Sequence, residues 1–429
     1  METYGKILLI AMPAFLLLVL LEKWYARKYV KAVQNNMDTI ASLASGVTNV
    51  TKDVLGLSIA LYTYGWMLDH WALMHVQSTI WVYIIAFIAL DFAGYCVHRI
   101  DHEFNFFWNA HIIHHSSEEF DLACALRQSI SSFIKIFTIF LLPAALFGVP
   151  EKVIAIVAPL HLFAQFWYHT IYINKMGFLE KIIVTPSHHR VHHAINKEYI
   201  DKNYGQILII WDKLFGTYQE ELREVKPVYG ITRPVQTWNP FKINFQHMAL
   251  LVKDAWRTKN IKDKLRIWMM PTGWRPADVA EKYPVQKIED VYSFDKYRTD
   301  QTNQLQAWCW FQMIVLLLFV SWLFGNIASI GSPGIFIYGG FIFLFVYALA
   351  ELMDKNKYAP AWEGVKALFG TGLIFYSGDW FGTGHYFAPA KFILLAYFFL
   401  SFTATIFFSR TQAQSDLRLS TRPQPATQN

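Results

Sequence analysis

Long runs of apolar residues, separated by short polar segments, occupy most of the chain. A membrane-spanning helix needs roughly 20 predominantly apolar residues, with a range of about 17 to 25. The runs predicted to span a bilayer lie at 7–21, 54–74, 80–97, 130–149, 153–168, 305–325, 334–349, 366–377 and 392–408. The run at 366–377 is short and rich in glycine. The pattern predicts an all-α, polytopic membrane protein with about eight or nine spans.

Basic residues predict which side of the membrane each loop faces. With the N-terminus outside, the loop after the first run, which carries four Lys or Arg residues between 23 and 31, faces the cytoplasm. The 174–303 segment and the C-terminal tail then fall on the same side, as the positive-inside rule requires. The third and fifth spans return the chain to this side just before His98 and His188. Polar motifs near both positions are therefore predicted to form a cytoplasmic cap.

The overall composition agrees with a membrane protein. The 429 residues are 54% hydrophobic and only 16% charged, whereas soluble domains carry about 25% charged residues. The net charge of +6 is spread along the chain without a basic run, so no nucleic-acid partner is predicted. The three cysteines, Cys96, Cys124 and Cys309, are far apart and match no thiolate zinc pattern and no disulfide framework.

Histidines are concentrated in two short stretches, "HRIDHEFNFFWNAHIIHH" (98–115) and "HHRVHH" (188–193). Residues three or four apart share one face of a helix, so each stretch directs several imidazoles to one point. Packed imidazoles without a shared partner would repel each other when protonated and leave buried groups unpaired when neutral. The spacing therefore predicts metal binding. Eight clustered ligands exceed the needs of one ion, which favours two metals. The isolated His70, His75, His247 and His385 are interpreted as structural.

The motifs "HRIDH", "HIIHH" and "PSHHRVHH" resemble the HxxxH, HxxHH and HxxHH boxes of the fatty acid hydroxylase (sterol desaturase) superfamily, over roughly residues 80–220. The resemblance implies a non-haem site with two iron ions, molecular oxygen as the oxidant and a lipid substrate in the bilayer. Four positions before His169, where relatives often have a histidine, this chain has Gln165. The metal ligands that the resemblance implies are His98, His102, His111, His114, His115, His169, His189, His192 and His193.

A narrower resemblance extends over nearly the whole chain. "HSSEEFDLACALRQS", "QFWYHT" and the apolar runs after residue 304 are similar to a subfamily of integral-membrane ether lipid hydroxylases that use tetrahydrobiopterin. This implies a catalytic core at 80–220 between N-terminal spans at 1–79 and C-terminal spans at 304–410. The 221–303 segment, which mixes tryptophan, proline and charge, is predicted to form interfacial helices. The polar tail at 411–429 is predicted to be disordered.

Several side chains near the boxes are candidates for supporting roles. Ligating histidines usually donate their second N–H to a carboxylate or a carbonyl, and the carboxylates near the boxes are Asp91, Asp101, Glu103, Glu118 and Asp121. Glu103, which matches an acidic residue after the first box of the subfamily, is the candidate catalytic residue, acting on ligands or substrate. Additional candidates for the metal site are His161, Gln165, His188 and Asn196. Arg99 and Arg127 are candidates for holding a lipid phosphate or a pterin, or for anchoring at the interface.

The chemistry favours iron, since cleavage of an unactivated C–H bond needs a redox-active metal; zinc can replace iron because it readily accepts imidazole. No nicotinamide, ATP or haem motif is present, so a separate donor, a pterin or a redox protein, is expected to supply electrons.

Gly94 and Ala164 are predicted to leave space for sideways entry of the lipid. Sterol methyl oxidase, fatty-acyl hydroxylase, desaturase and a non-enzymatic metal or haem carrier stay open as alternatives. The expected location is the endoplasmic reticulum in a eukaryote or the inner membrane in a bacterium.

Overall fold

A computed structural model of the protein describes residues 2–57, 59–60, 63–132, 134–299 and 301–420. Within these residues the regular secondary structure is helical, as predicted, apart from a two-residue parallel pair of strands, β1 (Ile59–Ala60) and β2 (Ile134–Lys135). The α-helices are α1 (Glu2–Tyr25), α2 (Asn36–Val54), α3 (Tyr64–Trp71), α4 (Ile80–Glu103), α5 (Asn105–His115), α6 (Leu142–Leu146), α7 (Glu151–Phe163), α8 (Pro186–His192), α9 (Ile210–Phe215), α10 (Pro240–Arg257), α11 (Ile261–Arg266), α12 (Ala277–Lys282), α13 (Asn303–Gly325), α14 (Ile327–Ile330), α15 (Gly334–Met353), α16 (Ala359–Ser377), α17 (Thr383–Tyr386) and α18 (Ala390–Ser420).

Five helical segments in the described part of the chain are long and apolar enough to cross a membrane. They are Gly5–Val30, Ile80–Glu103, Asn303–Gly325, Gly334–Met353 and Ala390–Thr411. Apolar helices of this length bury all their backbone polar groups internally, which is what a bilayer demands of a spanning segment. The protein is therefore an integral membrane protein.

Two of the predicted spans do not form continuous helices. In the 54–74 run, α2 ends at Val54, Gly56 has a left-handed φ of 67°, and the next helix begins only at Tyr64. A left-handed glycine just after the last turn is a common helix terminator. The 130–149 run is divided among β2, a 3₁₀ segment (Ile136–Leu141) and the short α6. Periodicity and apolarity alone did not reveal these breaks.

Other differences concern helix length. Helix α7, which overlaps the predicted 153–168 span, has 13 residues, which is shorter than a perpendicular crossing needs. Helix α18 continues to Ser420, into the tail that was predicted to be disordered at 411–429. Residues 421–429 of that predicted tail lie outside the described residues.

The chain divides into two compact units. The histidine unit comprises residues 12–236 and 241–297, and the C-terminal unit comprises residues 1–11, 237–240 and 298–429. In the C-terminal unit, α13, α15, α16 and α18 pack side by side around buried aromatic rings such as Phe341 and Trp380. A buried ion pair between Lys366 and Glu363, with Nζ 2.7 Å from Oε1, lies among the same helices. In the histidine unit, α4 packs against α5 and α7.

Candidate metal centre

A sharp corner between α4 and α5 brings the first two histidine boxes together. Phe104 is extended (φ −120°, ψ 133°) and ends α4, and α5 begins at the next residue. The Asn105 side-chain amide fixes the corner by donating to the carbonyl oxygens of Ile267 and Trp274, each at 3.0 Å. Because of this corner, His98 at the end of α4 faces His111 on α5.

Helix α8 supplies the third box. Thr185 caps its N-terminus, Pro186 occupies the first turn, and the His188 side chain returns to the cap, with Nδ1 3.3 Å from the Thr185 backbone N. Proline in the first turn and a capping side chain are typical of a helix start. The following turn then presents His189 and His192 on one face, and the helix ends before His193.

In the first histidine group the Nε2 atoms lie close to one another. These atoms lie 3.0 Å apart in the pairs His98–His111 and His111–His115. The Nε2 of His115 is also 3.1 Å from that of His102 and from that of His192. The group consists of His98, His102, His111, His115 and His192, and its ligand atoms all lie within 4.8 Å of one another.

The second histidine group consists of His114, His169, His189 and His193, also with all ligand atoms within 4.8 Å. The Nε2 of His189 lies 2.9 Å from that of His169 and 3.0 Å from that of His193. All four side chains are buried. The nine histidines predicted as ligands are thus brought together, and they divide into two separate groups.

The hydrogen bonds of the rings show that lone pairs converge in both groups. His114 and His169 donate Nδ1–H to the carbonyl oxygens of Arg127 (3.3 Å) and Gln165 (3.0 Å). Burial lowers the pKa of His114 to about 3 and that of His169 well below its usual range, so both rings are neutral. A neutral ring that donates through Nδ1 has only a lone pair on Nε2. These two Nε2 atoms nevertheless lie 3.4 Å apart.

The same arrangement occurs in the first group, where His98 and His192 donate Nδ1–H to the carbonyls of Tyr204 (2.8 Å) and Lys202 (2.9 Å). Facing lone pairs repel each other, whereas a divalent cation between them would be bound by both. Neutral imidazole is the form that binds metals. Burial also lowers the pKa of His111, His115 and His192 well below the usual range. The residues present therefore fit a metal ion in each group.

Backbone carbonyls, rather than the carboxylates expected from the sequence, orient these rings. Asp201, in the loop that supplies the Lys202 and Tyr204 carbonyls, lies 3.7 Å from His102 Nδ1, which is longer than a hydrogen bond. The sequence predicts a loop at 201–205 that packs against the third histidine box, but not the role of its carbonyls, because a carbonyl acceptor has no side-chain signature. The "DKNYG" motif at 201–205 was the available signal.

Glu103 lies outside both groups. Its Oε1 accepts from Arg99 Nε at 2.7 Å, and both side chains are more than one third exposed. Successive residues of a helix point about 100° apart, so Glu103 follows His102 in sequence without sharing its face. Arg99 is occupied by this pair, and Arg127 is buried in an ion pair with Asp38.

The four additional candidates are engaged elsewhere. His161 Nε2 lies 2.7 Å from Asp91 Oδ1, and Gln165 Nε2 lies 3.1 Å from His161 Nδ1. His188 belongs to the α8 cap. The Asn196 side chain donates to the Lys226 carbonyl and accepts from the Val228 backbone, which ties two loops together.

The expected space for lipid entry beside Gly94 is filled. A Cβ on Gly94 would lie 2.1 Å from the Oε1 of Gln206. A cavity of about 270 Å³ instead reaches the histidines from another side, where it is lined by His102, His115 and His192 of the first group and His193 of the second. Its remaining wall comes largely from residues 230–287, including the structural His247. This cavity therefore borders both histidine groups.

Two buried histidine groups that could each hold a metal ion, together with helices apolar enough to cross a membrane, define the class of this protein. A family model described as fatty acid hydroxylase matches residues 83–217. Alkylglycerol monooxygenase of Homo sapiens is 34% identical over 368 residues, covering 83% of this chain and 80% of the relative. The Danio rerio protein of that name is 31% identical over 338 residues, covering 77% and 74%. Ornithine lipid hydroxylase OlsE of Rhizobium tropici is 30% identical over 153 residues, covering 35% and 46%.

No solved structure matches the chain. The extent of the similarity to the curated relatives shows that the chain belongs to the fatty acid hydroxylase family. It is a lipid monooxygenase.

Proposed function

We propose that this protein hydroxylates the carbon beside the ether oxygen of alkylglycerols. One atom of O₂ enters the C–H bond, and two electrons and two protons from a separate donor reduce the other atom to water. The hydroxylated ether is a hemiacetal, which collapses to a fatty aldehyde and a free glycerol hydroxyl. The observation that carries the proposal is the pair of converging histidine groups in a chain related over most of its length to alkylglycerol monooxygenases.

The first group, with His98, His102, His111, His115 and His192, would hold one iron ion. The second group, with His114, His169, His189 and His193, would hold the other. When bound, paired iron supplies the activation of O₂ that C–H cleavage requires. An all-nitrogen ligand set also accepts zinc, so zinc is expected to replace iron on overexpression without supporting turnover.

The chain's own residues orient the ligands and shape the substrate site. The carbonyls of Tyr204, Lys202, Arg127 and Gln165 hold four imidazoles with Nε2 facing inward. Apolar side chains of the cavity wall, among them Ile112, Ile195 and Leu250, exclude water from the reacting carbon. Glu103 is proposed to position substrate or donor near the cavity, because its backbone carbonyl accepts from Thr272, a residue of the cavity wall.

The electron donor is proposed to be a tetrahydropterin, with a redox protein as the other candidate. The histidine groups of the catalytic core at 80–220 are proposed to lie on the cytoplasmic face of the membrane. The core lies in sequence between the N-terminal spans at 1–79 and the C-terminal spans at 304–410, with 221–303 at the interface. The positive-inside distribution of Lys and Arg supports this orientation. The location would be the endoplasmic reticulum in a eukaryote and the inner membrane in a bacterium.

The proposal is tested with purified protein in nanodiscs, loaded with ferrous iron and given a 1-O-alkylglycerol with and without a tetrahydropterin. We expect fatty aldehyde to form only with O₂ and a reductant. A fatty-acyl hydroxylase, which the similarity to an ornithine lipid hydroxylase favours as second candidate, would instead hydroxylate an ester- or amide-linked chain and leave the ether intact. Formation of neither product by the iron-loaded protein would contradict both candidates.

A further inference from the structure

The cavity that reaches the histidines is also lined by basic residues. Three of its lining residues, Arg233, Arg275 and Lys287, are cationic, and one, Asp201, is a carboxylate. The cationic residues come from the segment at 230–287, and Asp201 comes from the loop that orients the first histidine group. Apolar residues, including Ile231 and Leu251, line the same cavity. The cavity therefore combines an apolar interior, a metal-binding face and a positively charged face.

The two arginines differ in their partners. Arg275 is neutralised by the buried Asp254, since its Nε lies 2.6 Å from Oδ2 and its Nη2 lies 3.0 Å from Oδ1, and it also donates to the Tyr283 carbonyl. Arg233 makes no hydrogen bond or ion pair within the described part of the chain. It is only partly exposed, and burial and the neighbouring Arg275 lower its pKa, while the Asp254 carboxylate, already paired with Arg275, acts in the opposite direction.

A half-buried guanidinium without a hydrogen-bonded anion of its own is unfavourable unless a ligand supplies one, and the Asp254 carboxylate is already hydrogen-bonded to Arg275. Guanidinium groups bind phosphate through paired N–H donors, which gives geometric selectivity as well as affinity. Lys287, an exposed residue that also lines the cavity, adds a second positive charge. The single negative charge of Asp201 does not balance the two positive charges of Arg233 and Lys287, so the cavity attracts an anion.

We propose that Arg233 recognises the phosphate of an ether lipid, so that the enzyme prefers a phosphate-bearing alkylglycerol to the neutral alkylglycerol. This inference rests on the proposed function and assigns the specificity of the same site. The phosphate would lie against Arg233 and Lys287, while the ether carbon of the same molecule approaches the histidine face.

The test compares 1-O-alkylglycerol and 1-O-alkylglycerol 3-phosphate with the same alkyl chain, using the full-length protein in nanodiscs. Binding of each radiolabelled lipid and turnover of each are measured for wild type, Arg233→Gln and Arg233→Lys. Arg257→Gln is the matched control, because Arg257 is exposed at the end of α10 and does not line the cavity. Inorganic phosphate and glycerol 3-phosphate are added as competitors.

We expect Arg233→Gln to weaken binding of the phosphate lipid about tenfold to a hundredfold, as expected for the loss of charge-assisted hydrogen bonds, with little change for the neutral lipid. Arg233→Lys should fall between, and Arg257→Gln should match wild type. Equal weakening for both lipids, or none, would overturn the inference. Inorganic phosphate that binds at Arg233 as tightly as the lipid would also overturn it, by assigning the site to a soluble anion. Arg233-dependent binding without turnover of either lipid would support the phosphate site and contradict the proposed function alone.

Discussion

The side chains of Arg127 and Asp38 form a buried ion pair, with Nη2 2.8 Å from Oδ1. The same guanidinium donates to Ser42 on α2 and to Ser116, just after the second histidine box. The Arg127 carbonyl accepts from His114 Nδ1. Arg127 therefore connects α2 to the second histidine group. The sequence did not indicate this connection, because the segment that forms α2 was expected to belong to a loop.

Replacing Asp38 with alanine should destabilise the protein by roughly 3–5 kcal/mol, because it leaves the Arg127 charge buried without a counterion. Thermal unfolding in detergent would measure the loss. Glu220→Ala, which removes the partner of Lys175 in an exposed ion pair, should change stability by less than about 1 kcal/mol. Equal effects of the two substitutions would mean that the Asp38 pair does not stabilise the fold.

Removing one histidine should empty one metal site and leave the other. His192→Ala belongs to the first group and His189→Ala to the second, so each should reduce bound metal from about two ions per chain to about one and abolish turnover. His385→Ala, at an exposed position outside both groups, should keep both metals and wild-type turnover. Elemental analysis of the purified variants provides the measurement. A loss of both metals from either ligand variant would contradict two separate sites.

Glu103→Gln tests the proposed positioning role. Because the side chain is outside both histidine groups, metal content should be unchanged. The KM for lipid or donor should rise several-fold with a smaller change in kcat, since uniform binding is lost without loss of an interaction specific to the transition state. Unchanged KM values with intact metal content would refute this role.

Stability should decrease as the pH rises through the titration of Glu118. Burial raises the pKa of Glu118 from 4.5 to about 7, so the folded protein holds this proton more tightly than the unfolded chain. Stability from this group is fully present below about pH 4.5 and is lost progressively up to about pH 7. Burial also raises the pKa of Asp121 to about 6, which adds to the same trend.

Glu118→Gln should therefore reduce the decline in unfolding temperature between pH 5 and pH 8. Glu198→Gln, at an exposed glutamate, should leave the wild-type profile unchanged. A Glu118→Gln profile that is as steep as wild type would show that Glu118 does not contribute to the pH dependence.

The sequence predicted which histidines come together, but not how they divide between the two groups. Spacings of three and four residues placed His111, His114 and His115 near one another, yet His114 belongs to a different group from its neighbours. That division depends on how α5 packs against α8 and the 165–170 loop, and spacing within one helix carries no information on it. Similarly, the loop that orients His98 and His192 relies on left-handed φ values of 59° at Asp201 and 57° at Asn203, which composition did not single out.

The prediction of membrane helices agrees with the structure where an apolar run forms one unbroken helix, as in α4, α13 and α15. The prediction was wrong for the 54–74 run, where a left-handed glycine ends a helix inside apolar sequence. Hydropathy reports the environment of a segment, whereas local backbone conformation decides where the helix stops.

The most direct test of the central claim is turnover of a 1-O-alkylglycerol under ¹⁸O₂, with the aldehyde reduced to the alcohol as it forms to prevent exchange with water. Hydroxylation beside the ether oxygen puts the new oxygen on the fatty carbon, and collapse of the hemiacetal leaves the original ether oxygen on glycerol. The account predicts ¹⁸O in the fatty product and none in glycerol. Unlabelled fatty product, or ¹⁸O in the glycerol, would contradict it.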